Sequence, residues 1–87
     1  MKKEIILKII EEYNRLRSPE ATAKFIMKQN EKILINFSGP FCTSCGVIDY
    51  FEDFVIEANS NNLKLNIRDI DQINFNNYLV EFREETQ

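Results

Sequence analysis

Ile33-Leu34-Ile35-Asn36-Phe37 is a nearly unbroken apolar run, too short for a typical helix and rich in β-branched residues, and it halts at Ser38-Gly39-Pro40. Such a run predicts a strand covered on both faces, which belongs in the interior of a sheet. Beyond the stop, Val47, Ile48, Phe51, Phe54, Val55 and Ala58 recur at helical spacing, up to the polar cluster Asn59-Ser60-Asn61-Asn62. A strand, a tight connection and a helix in direct succession restrict the chain to an α/β arrangement.

The rest of the chain is read around that unit. From Lys2 to Arg17, Ile6, Ile9, Ile10, Tyr13 and Leu16 fall on one face of a helix, while Lys3, Glu11, Glu12 and Arg15 lie on its solvated side. Ser18-Pro19-Glu20 predicts the start of a second helix, with Ser18 as N-cap and Pro19 in the first turn. That helix would run to about Gln29 and bury Ala23, Phe25, Ile26 and Met27. Leu63, Leu65 and Ile67 alternate with Lys64, Asn66 and Arg68 as in an edge strand. Asp69 and Asp71 read as the end of that strand and the cap of a last helix, which would carry Phe75, Tyr78, Leu79 and Phe82 at i, i+3, i+4 and i+7. The expected order is helix, helix, strand, helix, strand, helix. A strand-helix-strand unit of this length favours parallel pairing.

With 87 residues the chain makes one domain, residues 1–87, with a modest core: about 60–65% of the unfolded chain's surface is buried at this size. No repeat, low-complexity stretch or interdomain linker divides it. The net charge of -3 is spread along the chain, without the basic patch that nucleic acid or anionic lipid would select. Glu4 and Lys8 interrupt the first apolar stretch, which reads as an amphipathic helix and not as a leader, and no run reaches a membrane-spanning length. The expectation is a cytoplasmic protein with no nucleic-acid or membrane partner. Phe51, Phe54, Phe75, Tyr78 and Phe82 are expected in the core. Ser38, Thr43 and Ser44 lack a histidine base, since the chain has none, so a serine-type mechanism is not expected.

The two cysteines, Cys42 and Cys45, fall between the strand and the helix. A disulfide closing so short a loop constrains the unfolded chain little, so its value would be chemical. A thiolate is the attacking species in disulfide exchange, and the unpaired N–H groups and dipole of a helix N-terminus stabilise it. Cys42 stands at the expected helix start, with Cys45 one turn further in and able to resolve a mixed disulfide. Two other readings stay open at this point. The pair can be two small residues at a helix start, or half of a zinc centre completed by carboxylates or by a symmetric second copy.

The stretch from Ile33 to Cys45, with Gly39-Pro40-Phe41 directly before Cys42-Thr43-Ser44-Cys45, resembles the central strand and active-site loop of the thioredoxin family. The resemblance extends from Ser18 to the C-terminus as a helix before the strand, a helix after it, and a further strand and helix. It implies a truncated thioredoxin-like fold: residues 1–17 form an added N-terminal helix, residues 18–87 form the thioredoxin-like region, and the sheet is small and parallel. By the same resemblance Cys42 is the nucleophile, Cys45 the resolving thiol, their disulfide reversible, and Pro40, Phe41, Thr43 and Ser44 flank the substrate. The implied activity is thiol-disulfide oxidoreduction on protein or small-molecule disulfides, with a thiol or a reductase as electron donor and with no cofactor or metal. Asn36 and Gly46 stand where the family often has an acid and a base, and no proline follows Pro40. With the family's final hairpin expected to be missing as well, the sheet would keep an open apolar edge, fit for a homodimer or for a non-catalytic binding or assembly module.

Overall fold

The computed structural model describes residues 2–40 and 46–85. The chain folds as helix α1 (Lys2–Arg17), strands β1 (Thr22–Gln29) and β2 (Lys32–Ser38), helix α2 (Val47–Ser60), and strands β3 (Leu65–Asn74) and β4 (Asn77–Glu84). The four strands form one sheet in the order β1-β2-β4-β3, and every neighbouring pair is antiparallel. This overturns the expected helix-helix-strand-helix-strand-helix order and its parallel sheet, and with them the truncated thioredoxin-like fold over residues 18–87. Strands β2 and β3 do run in the same direction across α2, but β4 returns between them and pairs with both.

Two segments expected as helices are strands. Along β1, Ala23 and Phe25 turn toward the helices as in a strand, and Asn14 fixes this extended course from α1. The Asn14 Nδ2 donates to the Ala23 carbonyl at 2.9 Å, and the Ala23 N–H donates to Asn14 Oδ1 at 2.7 Å. Ser18 and Pro19 lie in the turn after α1 instead of capping a helix, and Ser18 Oγ pairs with Thr22 Oγ1 at 2.9 Å. Asn30, at φ 55°, turns β1 into β2 over two residues. The i, i+3, i+4, i+7 spacing at the C-terminus also contains the alternation Tyr78, Val80, Phe82, and pairing to β2 selects the alternation. Asn74 makes the turn that this strand needs, its Oδ1 accepting from the Asn76 N–H at 2.8 Å. Strands β3 and β4 thus form an antiparallel hairpin where the sequence suggests a strand and a helix. Asp69 and Asp71 lie inside β3 and cap nothing.

Both helices pack on one face of the sheet. The core joins Ile6, Ile9, Ile10 and Tyr13 of α1 to Phe51, Phe54 and Ala58 of α2, over Ile33, Ile35, Phe37, Leu65, Val80 and Phe82 of the sheet. Phe37 is its centre: the rings of Phe51, Tyr13, Phe54 and Phe82 stand 5.0, 5.6, 5.6 and 6.1 Å from it, mostly edge to face. As expected, β2 is an interior strand and β3 an edge strand. Its second face is a correction: Ile33, Ile35 and Phe37 are buried, but Leu34 and Asn36 on the helix-free face are only half-buried. Leu16, Ile48 and Phe75 are exposed as well, Phe75 because it tips the β3–β4 turn.

Candidate functional site

Strand β2 leaves the sheet at Ser38, and three segments converge on the next residue. Gly39 donates its N–H to the Asn76 carbonyl of the β3–β4 turn at 3.4 Å, and a Cβ on Gly39 would lie 2.3 Å from the Glu20 carbonyl oxygen in the α1–β1 loop. With φ at 131°, Gly39 also holds a backbone conformation that side-chain-bearing residues rarely adopt. Exposed Pro40 follows. Phe41, Cys42, Thr43, Ser44 and Cys45 lie outside the described residues.

The chain re-enters at Gly46, the N-cap of α2, in the left-handed region at φ 78° and ψ 28°. Helix α2 therefore begins at Val47, beyond both cysteines, and not at the cysteines as the sequence suggests. The Asp49 N–H donates to the Gly46 carbonyl at 3.0 Å, and among the described residues no side chain caps the helix. The chain's only two glycines thus bracket the Cys-Thr-Ser-Cys segment, and both have positive φ. In the sequence Gly39 reads as a strand stop, and Gly46 stands where the thioredoxin family commonly has a basic residue. The sequence signal for both positions is that a chain with two glycines has both within four residues of one motif.

The surroundings are polar and anionic. Tyr50 donates its hydroxyl to Glu20 Oε2 at 2.9 Å, and that hydrogen bond, ahead of desolvation, raises the phenol above its usual range. Beneath it, Tyr13 donates to the Tyr50 carbonyl at 3.0 Å, and burial pushes the Tyr13 phenol strongly upward, with Arg17 opposing the shift. Arg17 lies over the Tyr13 ring at 4.7 Å, its Nε 3.3 Å from Asp53 Oδ2 and its Nη1 3.9 Å from Glu57 Oε1. Asp49 is the acidic residue of the first turn of α2, a favourable charge for the helix dipole. Asn36, at the position where the thioredoxin resemblance expects an acid, lies on the helix-free face and donates from Nδ2 to Asn77 Oδ1 at 2.9 Å. It joins β2 to β4 and cannot pass a proton.

No protein-family model matches the chain, and no curated protein and no solved structure is significantly similar to it. Among the described residues no three His, Cys, Asp or Glu side chains gather as a metal site would require, and no helix is long and apolar enough to cross a membrane.

Proposed function

We propose that Cys42 and Cys45 form a reversible disulfide and that the chain is a thiol-disulfide oxidoreductase acting on protein or small-molecule disulfides. The observation that supports this is the bracket around the motif. The cysteine pair lies in the connection from the end of an interior strand to the N-terminus of α2, and Gly39 and Gly46 shape both of its ends. The reading rests on this connection and no longer on a parallel thioredoxin-like sheet.

In the proposed cycle the Cys42 thiolate attacks one sulfur of the substrate disulfide, and the other sulfur leaves as a thiolate that takes up a proton. The Cys45 thiolate, its proton lost to solvent, then attacks the Cys42 sulfur and expels the second substrate thiolate. The substrate is reduced by two electrons as the pair is oxidised, and two equivalents of a small thiol such as glutathione, or a reductase, restore it. A reducing cytoplasm is the compartment in which such a pair would cycle. The N-terminus of α2 favours a nearby thiolate, whereas Asp49 offsets part of that potential.

The test is oxidation and reduction of the wild type and of Cys42→Ser in glutathione buffers, followed by mass spectrometry after alkylation. The expected result is a wild-type pair that cycles while Cys42→Ser traps nothing at Cys45 alone. A wild type that never forms the Cys42-Cys45 disulfide refutes the reading. The alternative is a non-catalytic binding module, and one observation favours it: strand β3 ends the sheet with its outer edge unpaired among the described residues.

A further inference from the structure

We infer that the β3 edge binds an extended peptide segment of a partner chain, antiparallel to β3, in which apolar side chains alternate with lysine or arginine.

The two edges of the sheet are not equivalent. On β1, both the N–H and the carbonyl of Ala23 are taken by Asn14, so helix α1 occupies part of that edge. On β3, the ladder to β4 is regular from Asp69 to Gln72, paired with Glu81 to Tyr78, and among the described residues no strand lies on the other side of β3. An antiparallel ladder alternates, so the backbone groups not turned to β4 point outward from this edge, where an added strand finds them.

Side chains on the two faces of β3 define what that strand would carry. Toward the helices, Leu65 and Ile67 form one wall of an open groove of about 460 Å³, and Glu52, Val55 and Ile56 of α2 form the other. These three helix residues stand at i, i+3 and i+4, hence on one face of α2, and Ile56 is 62% exposed. A strand added beside β3 would direct every second side chain into this groove, where apolar residues cover Ile56 and Ile67. On the opposite face, Asp69 and Asp71 are exposed and lie across from Glu81 and Leu79. The added strand's other side chains fall next to these two carboxylates, so basic residues fit there. Arg68 lies at the irregularity between Ile67 and Asp69, just before the regular stretch.

The same charges disfavour a second copy of β3 as the occupant in the registers that the regular stretch offers. A two-fold antiparallel pairing centred on residue 69, 70 or 71 sets Asp69 or Asp71 opposite itself or the other, and like charges directly opposite destabilise the ladder.

The experiment uses the full chain and a fluorescein-labelled octapeptide, Lys-Val-Lys-Val-Thr-Ile-Thr-Val, blocked at its C-terminus, with binding read by fluorescence polarisation. Saturable binding is expected, weakened about tenfold or more by Ile56→Glu. Asp69→Lys with Asp71→Lys should weaken it several-fold, and N-methylation of alternate peptide amides on the pairing side should abolish it. Ile56 is exposed, so a circular dichroism spectrum matching the wild type keeps the variant interpretable. Absence of binding up to millimolar peptide overturns the inference, as does binding indifferent to N-methylation or to Ile56→Glu. Self-association of the wild type that Ile56→Glu abolishes also overturns it, because the edge would then belong to a second copy. None of these outcomes depends on whether the cysteines cycle.

Discussion

Replacing Gly39 by alanine should destabilise this chain more than any other single methyl addition near the motif. At φ 131° the new residue would sit outside the wells open to L-residues, a backbone cost of about 1–3 kcal/mol. Its Cβ would also start 2.3 Å from the Glu20 carbonyl oxygen and about 3 Å from two further backbone atoms, so the α1–β1 loop must retreat. Overpacking of that kind adds about 1–3 kcal/mol. The stiffer unfolded chain returns about 0.4–1 kcal/mol, leaving a net loss of about 1–5 kcal/mol. Gly46→Ala is the internal control. Its φ of 78° lies in the ordinary left-handed well, worth about 1–2 kcal/mol, and its nearest neighbour is the movable Asp49 carboxylate at 3.2 Å. After the same unfolded-state correction the net loss is about 1 kcal/mol or less. Urea denaturation followed by circular dichroism at 222 nm separates them. With a slope of about 1 kcal/mol/M for so small a domain, the Gly39→Ala midpoint should fall by about 1–5 M, or the variant should not fold, against about 1 M or less for Gly46→Ala. A Gly39→Ala chain as stable as Gly46→Ala, or more so, would contradict the close approach of β2 to the α1–β1 loop.

Asn14→Ala should cost about 2 kcal/mol in the same melts, because it leaves both backbone groups of Ala23 without their side-chain partners; Asn14→Asp should recover only the bond that Ala23 donates. Tyr13→Phe should cost about 1 kcal/mol at neutral pH, through loss of the bond to the Tyr50 carbonyl. Because the folded phenol is raised above the unfolded value of 10.0, the unfolded chain ionises first, and Tyr13's contribution to stability is lost as pH climbs beyond 10. Wild-type stability should therefore fall more steeply than that of Tyr13→Phe above pH 10, and parallel curves would contradict the burial of this phenol. Under the redox reading, replacing Thr43-Ser44 with Gly-Pro should make the pair more reducing, and an unchanged equilibrium with glutathione would count against it.

The segments legible in the sequence were those whose pattern admits one period. Ile6, Ile9, Ile10 and Tyr13 fit only a helix, and α1 spans the residues expected. Ile33 to Phe37 is too short for anything but a strand, and α2 ends at the asparagine cluster as read. Residues 22–29 and 75–82 satisfy both periods: Ala23 and Phe25 alternate while Ala23, Ile26 and Met27 follow a helical turn, and Tyr78, Val80 and Phe82 alternate while Phe75, Tyr78, Leu79 and Phe82 follow one. Local preference does not decide between two such fits; pairing on either side of β2 does, because an interior strand needs hydrogen-bonding neighbours on both edges. The same long-range pairing inserts β4 between β2 and β3, which no local pattern encodes, and turns an expected parallel sheet into an antiparallel one. Around the candidate site, the cysteine spacing and its place between a strand and a helix are legible in the residues alone. The reason glycines stand at 39 and 46 emerges from the packing: one residue lies against the Glu20 carbonyl and the other turns left-handed into α2, constraints set by how the chain folds back on itself and not by its neighbours in sequence.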